Sequence, residues 1–307
     1  MAGEFSPTNS ITNTTAAAFI PEMWSDEIIA AYKKNLVAAN LFKKMSHKGK
    51  KGDTIHIPVP TRGSAYAKAS QAQVTLNSTS SSTVDVLIDQ HYEYSNLIED
   101  ITEVQALASL RRFYTDDAGY ALAKQVDTSL INLGSGFNSG AGTATYDKAY
   151  IGGDGTTFYT SGSSNASALT DAAIRRTIQR LDDADVPMDG RFLVIPPSAR
   201  NTLMGLARYT EQAFVGEAGG GNTIRNGEIG NLYGIPVFVS SNCATATGGA
   251  RIALMGHRDA AVLVEQMGVR SQTQYKQEYL ATLYTADTLY GVKELRNDAC
   301  YALAVPS

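Results

Sequence analysis

Two runs with a two-residue period, separated by a polar stretch, constrain this chain more than any other feature. In Gly52-Asp53-Thr54-Ile55-His56-Ile57-Pro58-Val59-Pro60 the apolar side chains Ile55, Ile57 and Val59 fall on one face. Successive side chains of a strand point to opposite sides, so this pattern predicts a half-buried strand. Pro58 and Pro60 donate no ladder hydrogen bond, which confines the strand to an edge. From Thr83 the pattern returns, with Val84, Val86 and Ile88 alternating against Asp85 and Asp89 and the run continuing to Asn96. Thr61 to Ser82, between the runs, is rich in Ser, Thr, Ala and Gln. The two runs predict a long hairpin with a polar tip, reaching roughly 40 Å if each strand has about a dozen residues. An isolated hairpin is marginal in water, and a tip this polar does not enter its own core. The faces bearing Ile55, Ile57, Val59, Val84, Val86 and Ile88 are therefore expected to bury against each other or against a neighbouring molecule. His56 and His91 are expected to face each other across the ribbon.

The strongest helical signal follows. Thr102 suits a cap, and Val104, Leu107, Ala108, Ala118, Ala121, Leu122, Val126, Leu130 and Leu133 form one stripe at helical spacing. Gly134-Ser135-Gly136 ends it, giving roughly 45 Å of helix. Upstream, a helix opening at Pro21 or Ser25 is expected to run through Leu41 and Phe42 and to stop within 47–52. Downstream, helices are expected from Thr170 or Asp171 and from a Ser198 cap. Strands are expected at Phe192 to Ile195, Ile235 to Val239 and Ile252 to Met255, a short helix at Arg258 to Val264, and strands over most of Val269 to Val305. Glycine-rich stretches fill 134–168 and Gly216 to Gly227, the second including Gly219, Gly220 and Gly221.

Charge is unevenly spread. Between Ile28 and Gly52 there is no Asp or Glu, while Lys33, Lys34, Lys43, Lys44, Lys48, Lys50 and Lys51 all fall there. Such a block suits phosphate or an acidic neighbour, or is simply a solvated flank.

Residues that would carry catalysis are missing from the expected patterns. Gly134 to Gly140 reads GxGxxxG and follows a helix rather than a strand, so it is not a dinucleotide loop. The aspartates Asp182, Asp183, Asp185 and Asp189 fit no calcium-loop frame and read as a helix-end turn. The four histidines show no i, i+3 or i+4 pair, and neither Cys243 nor Cys300 has a nucleophile signature. No metal, cofactor or catalytic residue is expected. No apolar run approaches the ~18 residues of a membrane span, and the first fifteen residues do not resemble a signal peptide. A hairpin, a long helix, a basic flank and a glycine-rich excursion are each hard to justify in a lone particle. Together they point to self-assembly of an α+β protein.

The order of these elements resembles the major capsid protein of tailed bacteriophages, the family with the HK97 fold. Phe19-Ile-Pro-Glu-Met-Trp-Ser-Asp-Glu-Ile28 is similar to the family's N-terminal start, and Gly52 to Pro58 to the lead-in of its extended hairpin, the E-loop. Thr102 to Leu133 is similar to the spine helix. Ile229-Gly-Asn-Leu-Tyr-Gly-Ile-Pro-Val-Phe-Val239 resembles a turn and strand of the axial domain, and Asp287 to Leu303 the returning peripheral strands. The resemblance implies an arm and helix over 1–51, the E-loop over 52–98 and a peripheral domain over 99–168. It also implies an axial domain over 169–261 and a return to the peripheral domain over 262–307. It implies a non-enzymatic virion protein, assembled in the host cytoplasm into hexamers and pentamers of an icosahedral shell around double-stranded DNA. Gly219, Gly220 and Gly221 would lie near the capsomer axis. A scaffolding protein and a portal are implied partners, and a decoration protein a further one. An encapsulin-type compartment, an enzyme with a site in 135–260 and a surface adhesin are the competing readings.

Overall fold

The computed structural model of the protein describes residues 37–48, 52–60, 63, 65–74, 76, 81–101, 110–137, 145–206 and 230–307. The expected first helix up to Leu36, the Thr102 cap, Lys33, Lys34, Lys50, Lys51 and the triplet Gly219 to Gly221 lie outside them.

A short helix α1 (Ala38–Leu41) leads into strand β1 (Lys43–Ser46), then β2 (Thr54–Pro60), β3 (Ser81–Leu87), β4 (Gln90–Glu99) and the long helix α2 (Leu110–Asn132). Next come β5 (Tyr150–Ile151), α3 (Asp171–Asp183), β6 (Arg191–Ile195), α4 (Pro197–Met204), β7 (Asn231–Leu232) and β8 (Ile235–Val239). The chain closes with β9 (Arg251–His257), β10 (Ala261–Lys276), β11 (Ala281–Glu294) and β12 (Cys300–Val305). The sheets are a four-stranded one in order β1-β10-β11-β4, a six-stranded one in order β5-β12-β9-β6-β8-β7, and the ribbon β2-β3.

The main core lies on the six-stranded sheet. β6 and β12 are buried at every position, which is why they read as continuous apolar runs rather than alternating ones. Leu130 and Ile131 of α2, Ile174 and Leu181 of α3 and Leu203 of α4 join them, each aliphatic contributing about 1.5–3 kcal/mol. Helix α3 begins where Thr170 accepts the Ala173 N–H at 3.3 Å through its hydroxyl. It ends where Val186 N–H donates to Leu181 O and Asp185 N–H to Asp182 O, both at 3.0 Å. This double closure, with Asp185 in the left-handed region at φ 54°, is the Schellman pattern. Arg191, buried at the edge of β6, fixes the same turn by donating to Val186 O at 2.6 Å and Pro187 O at 2.9 Å. Tyr233 and Gly234 link β7 to β8 with φ of 52° and 80°, the two positive angles a two-residue hairpin turn requires.

Helix α2 joins two cores. Ala118 and Leu122 pack on Tyr284 and Ala286 of β11, while Leu130 and Ile131 enter the main core. Its 23 described residues span roughly 35 Å, and it ends at Asn132, before a 3-10 turn over Leu133–Ser135, as the sequence predicts. The stripe is interrupted by Asp127, fully buried, which accepts Ala38 N–H at 2.7 Å and the Asn242 amide at 2.9 Å.

Three local expectations are corrected. The helix through Phe42 stops at Leu41, and Lys43–Ser46 is a strand parallel to β10, because the edge of β10 offers ladder partners that its own sequence does not advertise. The helix expected over Arg258 to Val264 is only a 3-10 turn over Arg258–Ala260, and Ala261 starts β10. Ser198 does not cap α4. Pro196 holds that position, and Ser198 Oγ donates to Pro306 O at 2.8 Å.

Candidate assembly interface

The ribbon pairs Ile55 with Val86, Ile57 with Val84 and Val59 with Ser82. Its apolar face does not lie free along its whole length. Val86 and Ile88 are buried on Val262 and Val264 of β10, with Ile55, Ile57 and Met45 packed at the margin. At Ile88 the strand changes partner: its N–H donates to Asp53 O at 2.7 Å, and β4 then pairs with β11 instead. The ribbon is thus seven residues per strand, roughly 23 Å rather than 40 Å. Val84 is half-buried, and Val59 is 40% exposed.

Beyond the paired strands, Gly63, residues 65–74 and Leu76 are exposed throughout. Among them Tyr66 is 57%, Val74 63% and Leu76 86% exposed. These apolar side chains sit in a polar stretch without periodicity, so no pattern in the sequence singles them out.

Polar contacts cross the ribbon and the sheet beside it. His56 Nδ1 lies 2.6 Å from Asp85 Oδ1 across the ribbon, and this hydrogen bond holds the Asp85 carboxyl below the usual carboxylate range. His91 does not face His56. It lies 3.3 Å from Asp287 Oδ2, because β4 has already left the ribbon for β11. Arg270 grips the same carboxylate at 3.1 and 2.8 Å. That fork, with help from His91, lowers the Asp287 pKa against the opposing effect of burial.

The basic block divides. Lys48 pairs with Glu265 at 3.2 Å, and Lys44 Nζ donates to Asn40 Oδ1 at 3.1 Å. Lys43 and Lys44 line a cleft of ≈ 450 Å³ whose other side carries Arg258 and Asp259.

The residues considered for chemistry serve structure. Asp182 pairs with buried Arg191 at 2.7 Å. Gly134 lies against Leu254 and Gly136 against Glu294, closing α2 rather than cradling a phosphate. Cys243 and Cys300 are buried, and burial pushes the Cys243 thiol up to about 12 and shifts Cys300 in the same direction. Among the described residues no three His, Cys, Asp or Glu side chains gather as metal ligands, and no helix is long and apolar enough to cross a membrane.

Comparison with known proteins accounts for this arrangement. Residues 99–296 match the family described as phage capsid protein. No curated protein matches the sequence. Among solved structures, one from Mycobacterium phage Che8 is 26% identical with a TM-score of 0.74, the match covering 93% of this chain and 97% of that one. The capsid structure of the cyanophage P-SCSP1u superposes with a TM-score of 0.75 at 18% identity over 100% of both chains. The capsid of Ralstonia phage GP4 gives 0.65 at 16% identity, covering 94% of this chain and 95% of the other. The fold is that of phage capsid subunits, the HK97 type. Matched over well more than half its length, the chain belongs to the phage capsid protein family, as a structural major capsid protein without enzymatic activity.

Proposed function

We propose that copies of this chain close into hexamers and pentamers of an icosahedral shell around double-stranded DNA, with the β2–β3 ribbon reaching from each copy to the next. The contrast along the ribbon carries this reading. Its root is braced on its own subunit, with Val86 at 0% exposure, while Tyr66, Val74 and Leu76 at its tip stay in water. Apolar surface left wet on every copy is covered when the tip lies on a neighbour. In this arrangement Ile55, Ile57, Val59 and Val84 meet the neighbour along the margins, and Val86 and Ile88 act as the brace. The segments 1–51, 52–98, 99–168, 169–261 and 262–307 serve as arm, E-loop, peripheral domain, axial domain and peripheral return, with Gly219 to Gly221 near the capsomer axis. A scaffolding protein and a portal take part during assembly in the host cytoplasm, and a decoration protein binds the finished shell. Electron microscopy of the purified full chain tests the reading. Closed shells are expected, and a chain that stays monomeric at high concentration refutes it.

A further inference from the structure

We propose that the cleft beside β1 contacts the phosphate backbone of double-stranded DNA, through Lys43 and Lys44 together with Arg258. This rests on reading the protein as a shell subunit that encloses DNA. The lysines of the basic block are neighbours in sequence, but the fold sorts them. Lys48 is neutralised within the subunit by Glu265 at 3.2 Å. Lys43 and Lys44 instead line a cleft of ≈ 450 Å³, and Arg258 joins them from the turn between β9 and β10.

Asn40 steadies one side of the cleft by accepting the Lys44 ammonium at 3.1 Å through Oδ1. Among the described residues no carboxylate forms an ion pair with Lys43 or Arg258. Asp259 is the acid in the lining, and its backbone N–H donates to His257 Nδ1 at 3.1 Å. Three cations and one carboxylate leave the cleft positive on a chain whose net charge is −4.

A line of phosphates suits this arrangement better than a carboxylate of a second copy. Lys43, Lys44 and Arg258 are all exposed, so each keeps its hydration and reach. A single acid on a neighbour satisfies one of them. A DNA strand offers a charge every few ångströms in any register. Arg258 offers a two-pronged fork to phosphate oxygens, and the lysines act as point charges. Contacts of this kind carry no sequence information, so binding is independent of base sequence.

The test is fluorescence anisotropy of the unassembled full chain with a short mixed-sequence duplex over a salt series. Electron microscopy of shells accompanies each variant. Arg258→Ala is expected to lower the slope of log K against log salt by about 1 and to weaken binding roughly fivefold at about 0.15 M salt. Lys43→Ala should act similarly, and Arg258→Lys should keep the slope. Shells of all three should close. An unchanged slope in Arg258→Ala and Lys43→Ala overturns the proposal, as does a wild-type chain that does not bind the duplex. A variant that binds the duplex normally but fails to close shells also overturns it, and assigns the cleft to a neighbouring copy. A wild-type chain that forms no shells refutes the shell reading itself, a separate outcome.

Discussion

Asp127, buried near the C-terminal end of the long helix, accepts the backbone N–H of Ala38 at 2.7 Å across 89 residues of chain. Its second oxygen accepts the Asn242 amide at 2.9 Å. One carboxylate thus ties the first residue of α1 to the long helix and to the loop after β8. Asp127→Ala leaves the Ala38 N–H buried without an acceptor, at about 1–3 kcal/mol, while the Asn242 amide keeps Thr128 Oγ1 at 3.0 Å. Urea unfolding of the unassembled subunit should show a loss of that order. A loss below about 0.5 kcal/mol would mean that the tie is dispensable.

Root and tip of the ribbon should respond differently to charge. Ile57 packs at the margin of the cluster on Val262 and Val264, so Ile57→Asp should lower subunit stability and shell yield together. Leu76 is 86% exposed. Leu76→Asp should leave stability within about 0.5 kcal/mol of wild type and still reduce shell yield. Thermal melting and counts of closed particles separate the two. Normal shells from the Leu76 variant would remove the tip from the interface.

The clamp on Asp287 makes a pH prediction. Arg270, then His91, holds this carboxyl below its ordinary value of 3.8. A carboxyl lowered in the folded state adds stability that is fully present above its unfolded value and is lost as pH falls through the folded one. Arg270→Ala raises the folded value back toward the ordinary one. Its acid unfolding midpoint, followed by circular dichroism, should therefore move to higher pH. An unmoved midpoint contradicts the clamp.

Gly256 is set by close approach rather than by turn geometry. A Cβ there would fall 2.6 Å from Cys300 Sγ and 2.9 Å from Ala299 O, because Gly256 and Cys300 are direct partners between β9 and β12. Gly256→Ala should cost about 1–3 kcal/mol of overpacking, read as a lower melting temperature. A wild-type melt would show that the strands part without strain.

Both thiols should resist alkylation while the protein is folded. Cys243 and Cys300 are buried, and Cys243 is shifted up to about 12, which leaves little reactive thiolate at neutral pH. Iodoacetamide is expected to label neither native cysteine and to label both in urea. Rapid native labelling would mean that the core around β12 opens.

The parts of this architecture written in local periodicity were legible. Ile55, Ile57, Val84 and Val86 alternate and do pair across the ribbon, and Thr170 caps the helix it precedes. What depended on distant partners was not. Nothing near Ile88 announces that the strand leaves the ribbon for β11, since Val84, Val86, Ile88, Tyr92 and Tyr94 keep to one parity while the partner changes. Lys43 to Ser46 carries no strand pattern and is extended because β10 lies beside it. Ala261 to Val264 is apolar at each position, a run equally suited to a buried helix or strand. Of the candidate interface, the paired aliphatics could be read from their spacing, whereas Tyr66, Val74 and Leu76 stand out only once their exposure is known.

Strand β10 runs from fully buried Ala261 to exposed Tyr275 and half-buried Lys276, its register slipping between Glu265 and Met267 and again between Met267 and Arg270. The two slips fall where the strand passes from the buried to the exposed part of the four-stranded sheet. A load applied to the turn after Lys276 therefore travels along covalent bonds into the heart of the subunit.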